Sequence, residues 1–283
     1  MPDQRIRSGP GCEGEQVNRW TGRLRRIWIG AAALGGIALV FLIGAFLLRS
    51  PPAPVPLEHA RRDFDQSVAH GEGSGVPPGV YRAEGRGEGV LDRPPTNQRD
   101  GSVMPVTVQA TGPGCSSWRI EYNTSHSQGL ELCRQGDSVS VVARSNFQAF
   151  DFGVATVSNR SEFRCDPPIV VAGALSGSRP GRVRCHGNDT ALGGDVTTDL
   201  DVEHLGSTEL QVGGRTVRVE QQRWTQELVG EQSGTLVEEW WFEPSSGMPL
   251  RSTRRYDLVT STPLGRVGYR ESGTWTLTSL SPT

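Results

Sequence analysis

The sequence contains no lysine, and all 29 of its basic residues are arginine. This usage indicates a GC-rich, bacterial genome and carries no information about function. The formal net charge is only −2, so no strong positive field points to nucleic acid as a partner. The chain also lacks a long helical period after about residue 79. Its 36 glycines and 19 prolines favour turn-rich β structure over a helical bundle.

The motifs of the common enzyme and metal sites are also missing. No G-x-S-x-G segment is present, and no C-x-x-C or H-x-x-x-H spacing occurs that zinc sites favour. Gly85–Gly89 has the glycines of a nucleotide loop but not the helix that should follow it. We therefore expect a protein that is not an enzyme and that needs neither a metal nor another cofactor.

One segment is far more apolar than the rest of the chain. Residues 27–48 read IWIGAAALGGIALVFLIGAFLL and include no charged side chain. A helix of that length extends about 33 Å, enough for a hydrocarbon core of about 30 Å. A cleaved signal peptide is the alternative, but the run is too long and no small-x-small site follows it. No cysteine comes directly after it either, which excludes a lipoprotein anchor. The sequence predicts an uncleaved transmembrane helix.

The arginines around this segment predict its orientation. Three follow it within the next 14 residues, whereas six precede it, and the side with the excess is usually cytoplasmic. The six are Arg5, Arg7, Arg19, Arg23, Arg25 and Arg26. We therefore expect a single-pass protein of the cell membrane with a cytoplasmic N-terminus and an extracytoplasmic C-terminal domain.

This prediction divides the chain into four regions. Residues 1–26 form a cytoplasmic tail, 27–48 the membrane helix, 49–78 a Pro/Gly-rich linker and 79–283 the outer domain. Within the linker, Leu57, Ala60, Phe64 and Val68 share one face at helical spacing. This spacing predicts a short helix that rests on the membrane or on the outer domain. A loosely ordered stalk is the equal alternative.

The outer domain shows the period-two alternation of β-strands. Val106, Val108 and Ala110 alternate with polar residues, and the same pattern recurs in about ten to thirteen runs. Turn signals lie between the runs, including Gly213-Gly214 and the segment PSSGMP at 244–249. The pattern predicts an all-β antiparallel domain, built as a sandwich, a barrel or half-barrel, or a curved open sheet.

The cysteines beyond the predicted membrane helix are even in number, which suggests disulfides in an oxidising compartment. Cys115 and Cys133 flank a turn-like Asn-Thr-Ser, and Cys165 and Cys185 flank the loop 173–181. Each pair would face across a hairpin. We predict the bridges Cys115–Cys133 and Cys165–Cys185, each worth about 3 kcal/mol in the chain-entropy model.

The polar candidates in the outer domain have structural explanations. His126 falls at a predicted turn, where we expect a solvated ring, and His204 shares a face with Leu200 and Val202, where we expect a half-buried, hydrogen-bonded ring. Arginine clusters at 179–184 and at 251–255 are expected on solvated strand edges, with an anionic partner, such as a lipid headgroup or a cell-wall polymer, as the alternative. The acidic residues are expected on a solvated sheet face, with a Ca²⁺ site as the alternative. They are Asp195, Asp199, Asp201 and Glu203.

The aromatic run at 240–242 is the most suggestive feature for function. Adjacent strand residues face opposite sides, so Leu236, Trp240 and Phe242 define one face and Trp241 the other. One interpretation is a central strand covered on both sides. The other is a concave sheet whose apolar face holds a ligand. On the second interpretation Leu236, Trp240, Trp241 and Phe242 are the candidate ligand-binding residues.

Four segments of the outer domain resemble an uncharacterised family of actinobacterial membrane-anchored proteins. They are 79–92, 118–133, 150–168 and 240–251. The aromatic strand, the PSSGMP turn and the arginine-rich strand that follows are also similar to part of LolA- or LppX-like carriers. That resemblance covers the C-terminal third and implies a curved antiparallel sheet that shelters lipid or acyl chains.

The sequence thus predicts a membrane-anchored extracytoplasmic β domain that binds an apolar or amphipathic, lipid-like ligand. The alternative is a cell-envelope interaction or scaffold domain without a small ligand. The expected partners are the membrane and a lipid or cell-envelope component, and nucleic acid is not expected.

Overall fold

The structure is a computed structural model, and it describes residues 44, 51–67, 73–173, 181–190, 193–262 and 265–283. Within these residues no helix has both the length and the hydropathy needed to cross a membrane. The predicted membrane segment 27–48 and the tail 1–26 lie outside the described residues, apart from Gly44.

The described chain is one short helix followed by thirteen strands. The helix, α1, spans Leu57–Ser67 within the predicted linker. The strands are β1 (Gly79–Asp92), β2 (Pro95–Arg99), β3 (Val103–Gly112), β4 (Cys115–Asn123), β5 (His126–Gln135), β6 (Ser138–Asp151), β7 (Thr156–Ala172), β8 (Arg182–Asp189), β9 (Gly194–Val212), β10 (Arg215–Leu228), β11 (Gln232–Phe242), β12 (Pro249–Thr262) and β13 (Gly265–Leu277).

All thirteen strands belong to one sheet, in which neighbours in sequence are neighbours in space from β3 to β13. The last strand pairs antiparallel with the first, from Ala83 opposite Leu277 to Leu91 opposite Tyr269. This pairing closes a barrel of twelve strands, while β2 pairs only with β1. The prediction of an all-β antiparallel domain is confirmed. Of the architectures that the sequence left open, the structure shows a closed sheet. The backbone groups at the edges of β1 and β13 pair with each other, so neither edge stays exposed.

The hairpins lie where local turn chemistry predicts them. Gly213 and Gly214 both have positive φ, 57° and 77°, and join β9 to β10 with Val212 opposite Arg215. A two-residue turn of this kind suits glycine, because side chains are strained at positive φ. The 244–249 segment likewise joins β11 to β12.

Both predicted disulfides are confirmed. Cys115 lies opposite Cys133 in the β4–β5 pair, and Cys165 lies opposite Cys185 in the β7–β8 pair. Each bridge therefore ties two adjacent strands of one hairpin.

The helix α1 contacts β1 and β3. Ala60 is buried there, and Leu57 and Phe64 are half-buried. Just before the helix, the backbone of Ala53 accepts a hydrogen bond of 2.9 Å from Thr124, in the turn between β4 and β5. Residue 53 therefore lies at the end of the sheet that carries the turn between β4 and β5. Of the interpretations of the linker, the structure shows a helix that rests on the outer domain.

Candidate functional site

The interior of the closed sheet holds a cluster of aromatic rings centred on Trp240. Its ring centroid lies 5.4 Å from that of Trp224, 5.9 Å from Trp118, 6.0 Å from Phe242 and 6.1 Å from Trp275. These rings come from four separate strands, and each is at most 1% exposed. Stacked and edge-on rings at these distances pack as a core does.

The predicted ligand-binding residues divide between the two faces of β11. Trp240 and Phe242 point inward and stack on each other, whereas Trp241 lies on the outer face with the guanidinium of Arg251 4.8 Å from its ring centroid. Leu236 is half-buried and lies near the middle of the strand. The structure thus brings Trp240 and Phe242 together but separates Trp241 from them. Ligand binding at these residues stays a prediction.

Beyond the aromatic cluster, the same interior contains a buried ion network that sequence reasoning missed. The guanidinium of Arg254 donates through Nη2 to Asp100 at 2.7 Å and through Nε to Glu271. It also lies 3.8 Å from the ring centroid of Tyr122. The side chains of Arg254, Asp100 and Glu271 are 2–3% exposed. A buried cation is tolerated here because two carboxylates compensate for its lost hydration.

The protonation of this network follows from burial and neighbouring charge. Burial alone would raise the pKa of Glu271, but the charge of Arg254 and the hydrogen bonds that Arg254 and Tyr269 donate bring that pKa below its ordinary value. His126 lies beside this carboxylate, with Nδ1 3.8 Å from Oε1, and burial lowers the pKa of its ring. Glu271 is therefore ionised and His126 neutral at neutral pH.

A third buried carboxylate, that of Glu238, connects the network to the aromatic cluster. Glu238 accepts hydrogen bonds from Arg144 at 2.6 Å, Gln128 at 2.7 Å and the indole of Trp240 at 3.1 Å, and from the Tyr256 hydroxyl. All its acceptor positions face donors. Such complete pairing is typical of a buried carboxylate that has a structural role.

Two glycines make room for the ion network in the sheet itself. Gly87 and Gly273 are direct cross-strand partners in the β1–β13 pair. A methyl group at Gly273 would collide with the Arg254 guanidinium, and one at Gly87 would collide with the Asp100 carboxylate. The glycine pair therefore lets the ion pair lie directly against the backbone.

Two sequence predictions are corrected by this arrangement. His126 was expected to be a solvated turn residue but is 4% exposed, and Arg254 was expected on a solvated edge but is 5% exposed. A signal for Arg254 was present, because Leu250, Tyr256 and Leu258 share its parity along β12 and all are buried. Period two therefore places Arg254 on the inner face.

The remaining polar candidates lie at the surface or near it. His204 meets the expectation of a half-buried ring, since its Nε2 lies 2.9 Å from Glu220. In the acidic row, Asp199 pairs with Arg184 at 3.0 Å and Glu203 with Arg223 at 3.2 Å. Nowhere in the described ranges do three or more histidine, cysteine or acidic side chains form a group that could hold a metal ion.

An open cleft of about 750 Å³ lies on the outside of the sheet, across β1, β2 and β11–β13. We call it the outer cleft. Three exposed arginines from three different strands line it, namely Arg86, Arg99 and Arg255. The strand register aligns the residues of its wall in two rows that cross the strands. Each residue of a row is the direct cross-strand partner of the next. The first row is Val237, Arg255, Ser272, Glu88 and Arg99, and the second is Glu239, Thr253, Thr274 and Arg86.

Comparisons with known proteins give no family for this chain. No protein-family model, no curated protein and no solved structure matches it.

Proposed function

We propose that this chain is a membrane-tethered, extracytoplasmic binding module that meets its ligand or partner on the outer surface of a packed, disulfide-bonded sheet. The observation that carries the proposal is the pair of cross-strand disulfides, Cys115–Cys133 and Cys165–Cys185, in the chain that follows the apolar segment 27–48. Disulfides persist in oxidising compartments, outside the cytoplasm. A charge-free segment of that length is typical of a membrane helix.

The packing supports recognition on the outside. Trp240 and Phe242 belong to the aromatic cluster, which fills the interior with side chains. An acyl chain sheltered inside, as the resemblance to LolA- or LppX-like carriers implies, would have to displace these rings. The outer cleft, by contrast, offers exposed polar groups without any rearrangement. The same packing favours the second candidate, an envelope scaffold domain without a small ligand.

A cysteine-labelling experiment on the full chain tests the compartment. Cells that express it are lysed into a maleimide-linked polyethylene glycol, with and without prior reduction. We expect only Cys12 to be labelled before reduction and all five cysteines after it. A Cys12→Ser variant is the matched control and should take no label before reduction. Labelling of Cys115, Cys133, Cys165 and Cys185 in unreduced native material would overturn the proposal.

Fractionation of the same cells tests the tether. We expect the full chain to stay in the membrane pellet after an alkaline carbonate wash, because a spanning helix is not removed by loss of electrostatic contacts. Recovery of the intact chain in the wash would contradict a transmembrane anchor.

A further inference from the structure

We propose that the outer cleft binds a phosphorylated polyol. Arg86 and Arg255 hold the phosphate, and Glu88 accepts a hydrogen bond from a hydroxyl group of the ligand. This inference rests on the proposed function, because it names the ligand of that outer surface. It starts from the charges of the cleft and from the order of side chains along its two rows.

The arginines of the outer cleft have no acidic partner among the described residues. Arg86, Arg99 and Arg255 make no ion pair with any residue that the structure describes. Some surface arginines elsewhere have their charge compensated, as Arg164 does by Glu131 at 3.2 Å. Three exposed guanidiniums around one cleft form a site for an anion, because each presents a fork of donors suited to phosphate.

The hydroxyl groups of β13 lie between these arginines. Ser272 is the direct partner of Arg255 on β12, and Thr274 is the direct partner of Arg86 on β1. Neighbouring strands are about 4.8 Å apart, so β12 and β1 lie about 10 Å apart across β13. Two arginine side chains can span that distance to one group above the hydroxyls. A phosphate seated there receives donors from Ser272, Thr274 and both guanidiniums.

The acidic residues of the cleft define the rest of the ligand. Glu239 forms a salt bridge of 2.8 Å with Arg223, so its charge is compensated. Glu88 is exposed, has no ion-pair partner among the described residues, and lies beside Ser272 on the adjacent strand. A carboxylate next to a phosphate site repels a second anion but accepts hydrogen bonds from hydroxyl groups. The arrangement therefore fits a molecule that carries a phosphate and a neighbouring alcohol.

The size of the cleft also exceeds that of a phosphate ion. A volume of about 750 Å³ lies in the range of sites for small organic ligands. Val237, at the end of the first row, adds a half-buried apolar side chain. Because the cleft is open to solvent, the phosphorylated polyol can be a free molecule or the headgroup of a lipid.

Binding measurements on the purified full chain in a nonionic detergent test this site. The probes are sn-glycerol 3-phosphate, inorganic phosphate and dihexanoyl-phosphatidylglycerol, with dihexanoyl-phosphatidylcholine as the zwitterionic control. We expect glycerol phosphate to bind more tightly than inorganic phosphate. The double variant Arg86→Gln/Arg255→Gln should weaken binding about tenfold or more, since it removes charge-assisted hydrogen bonds.

The control variant is Arg215→Gln/Arg266→Gln, which removes the same charge from exposed positions outside the cleft lining. It should bind as the unmodified chain does. In Glu88→Gln, the advantage of glycerol phosphate over inorganic phosphate should shrink. Because all three variants replace exposed residues, circular dichroism should show unchanged folding, and this separates a lost site from a lost fold.

The probes distinguish the sources of the phosphate. Binding of glycerol phosphate that the double variant weakens supports a free ligand. Binding of only the phosphatidylglycerol, equally sensitive to the variant, supports a lipid headgroup. Absence of binding to all phosphate probes, or binding that the double variant leaves unchanged, overturns the site. The cysteine labelling above is independent of these results, so a wrong ligand and a wrong compartment are told apart.

Discussion

The interior of the closed sheet has two regions of opposite chemistry that lie two residues apart on β11 and four residues apart on β4. On β11, Trp240 belongs to the aromatic cluster, and Glu238 belongs to the polar network. On β4, Trp118 contacts the aromatic cluster, and Tyr122 lies under the Arg254 guanidinium. The aromatic region depends on shape and contact area, whereas the ionic region depends on the pairing of each charge.

This difference teaches where the molecule tolerates change. An apolar core accepts substitutions that keep volume, because dispersion and burial have little directionality. A buried ion network does not, because loss of one member leaves another charge desolvated and unpaired. Four predictions test this contrast, beginning with the largest expected effect.

Replacement of Arg254 by methionine should be the most damaging change. Methionine keeps much of the volume but leaves Asp100 and Glu271 buried without their cation. We expect the free energy of unfolding to fall by about 3–5 kcal/mol. Urea unfolding of the full chain, followed by circular dichroism, measures it. The matched control is Arg255→Met on the outer face, where we expect a change within about 0.5 kcal/mol. Equal effects of the two variants would contradict the structural role of the network.

The hairpins and disulfides could be predicted from the sequence because they depend on neighbours in the chain. Gly213-Gly214 specifies its own turn, and Cys115 and Cys133 face each other once the turn between them forms. Closure of the sheet could not be predicted in this way. It depends on β1 pairing with β13, whose partners Gly87 and Gly273 are far apart in sequence and carry no local signal for each other.

The ionic region was missed for the same reason. Period-two alternation assigns Arg254 and Glu238 to the inner face, but a buried charge is expected only if its partners are known. Those partners, Asp100 for Arg254 and Arg144 for Glu238, come from distant strands and loops. Of the candidate site, the sequence therefore predicts the inward Trp240 and Phe242 but not the polar network beside them.

A smaller loss of stability is expected when Gly273, which leaves space for the ion pair, is replaced. In Gly273→Ala, the new methyl group collides with the guanidinium of Arg254, and either the strand or the network must shift. Such overpacking costs about 1–3 kcal/mol. Gly112→Ala is the control, because a methyl group there meets nothing within 4 Å. Unfolding in urea compares them. An unchanged midpoint for Gly273→Ala would show that the network does not depend on close approach to β13.

A conservative change in the aromatic region should cost less still. Trp240→Phe keeps a ring among its partners and removes one hydrogen bond to Glu238, which retains Arg144, Gln128 and Tyr256. We expect a loss of about 1–1.5 kcal/mol in the free energy of unfolding. The same urea titration provides the measurement. A loss as large as that of Arg254→Met would mean that the two regions do not differ in their tolerance.

The smallest effect should come from the proton equilibrium of the ionic region. His126 faces Glu271, Arg254, Asp100 and Tyr122, and burial lowers the pKa of its ring in the folded state. The unfolded state takes up this proton near the ordinary histidine pKa of about 6.5, whereas the folded state does so only at lower pH. Stability should therefore fall as the pH drops below about 6.5.

The Glu271 carboxylate adds a separate loss at lower pH. Its folded pKa is lowered, so its contribution is present above its unfolded pKa and disappears as the pH falls through the folded value. Unfolding titrations between about pH 7.5 and about pH 5 isolate the histidine, because the ordinary pKa of glutamate lies below that window. In His126→Gln the slope of stability against pH should be shallower than in the unmodified chain. An identical slope would mean that His126 takes up its proton equally readily in the folded and unfolded states. A chain that gains stability on acidification through this window would mean that Glu271 holds a proton on His126 and that the network titrates as an ion pair rather than around a neutral ring.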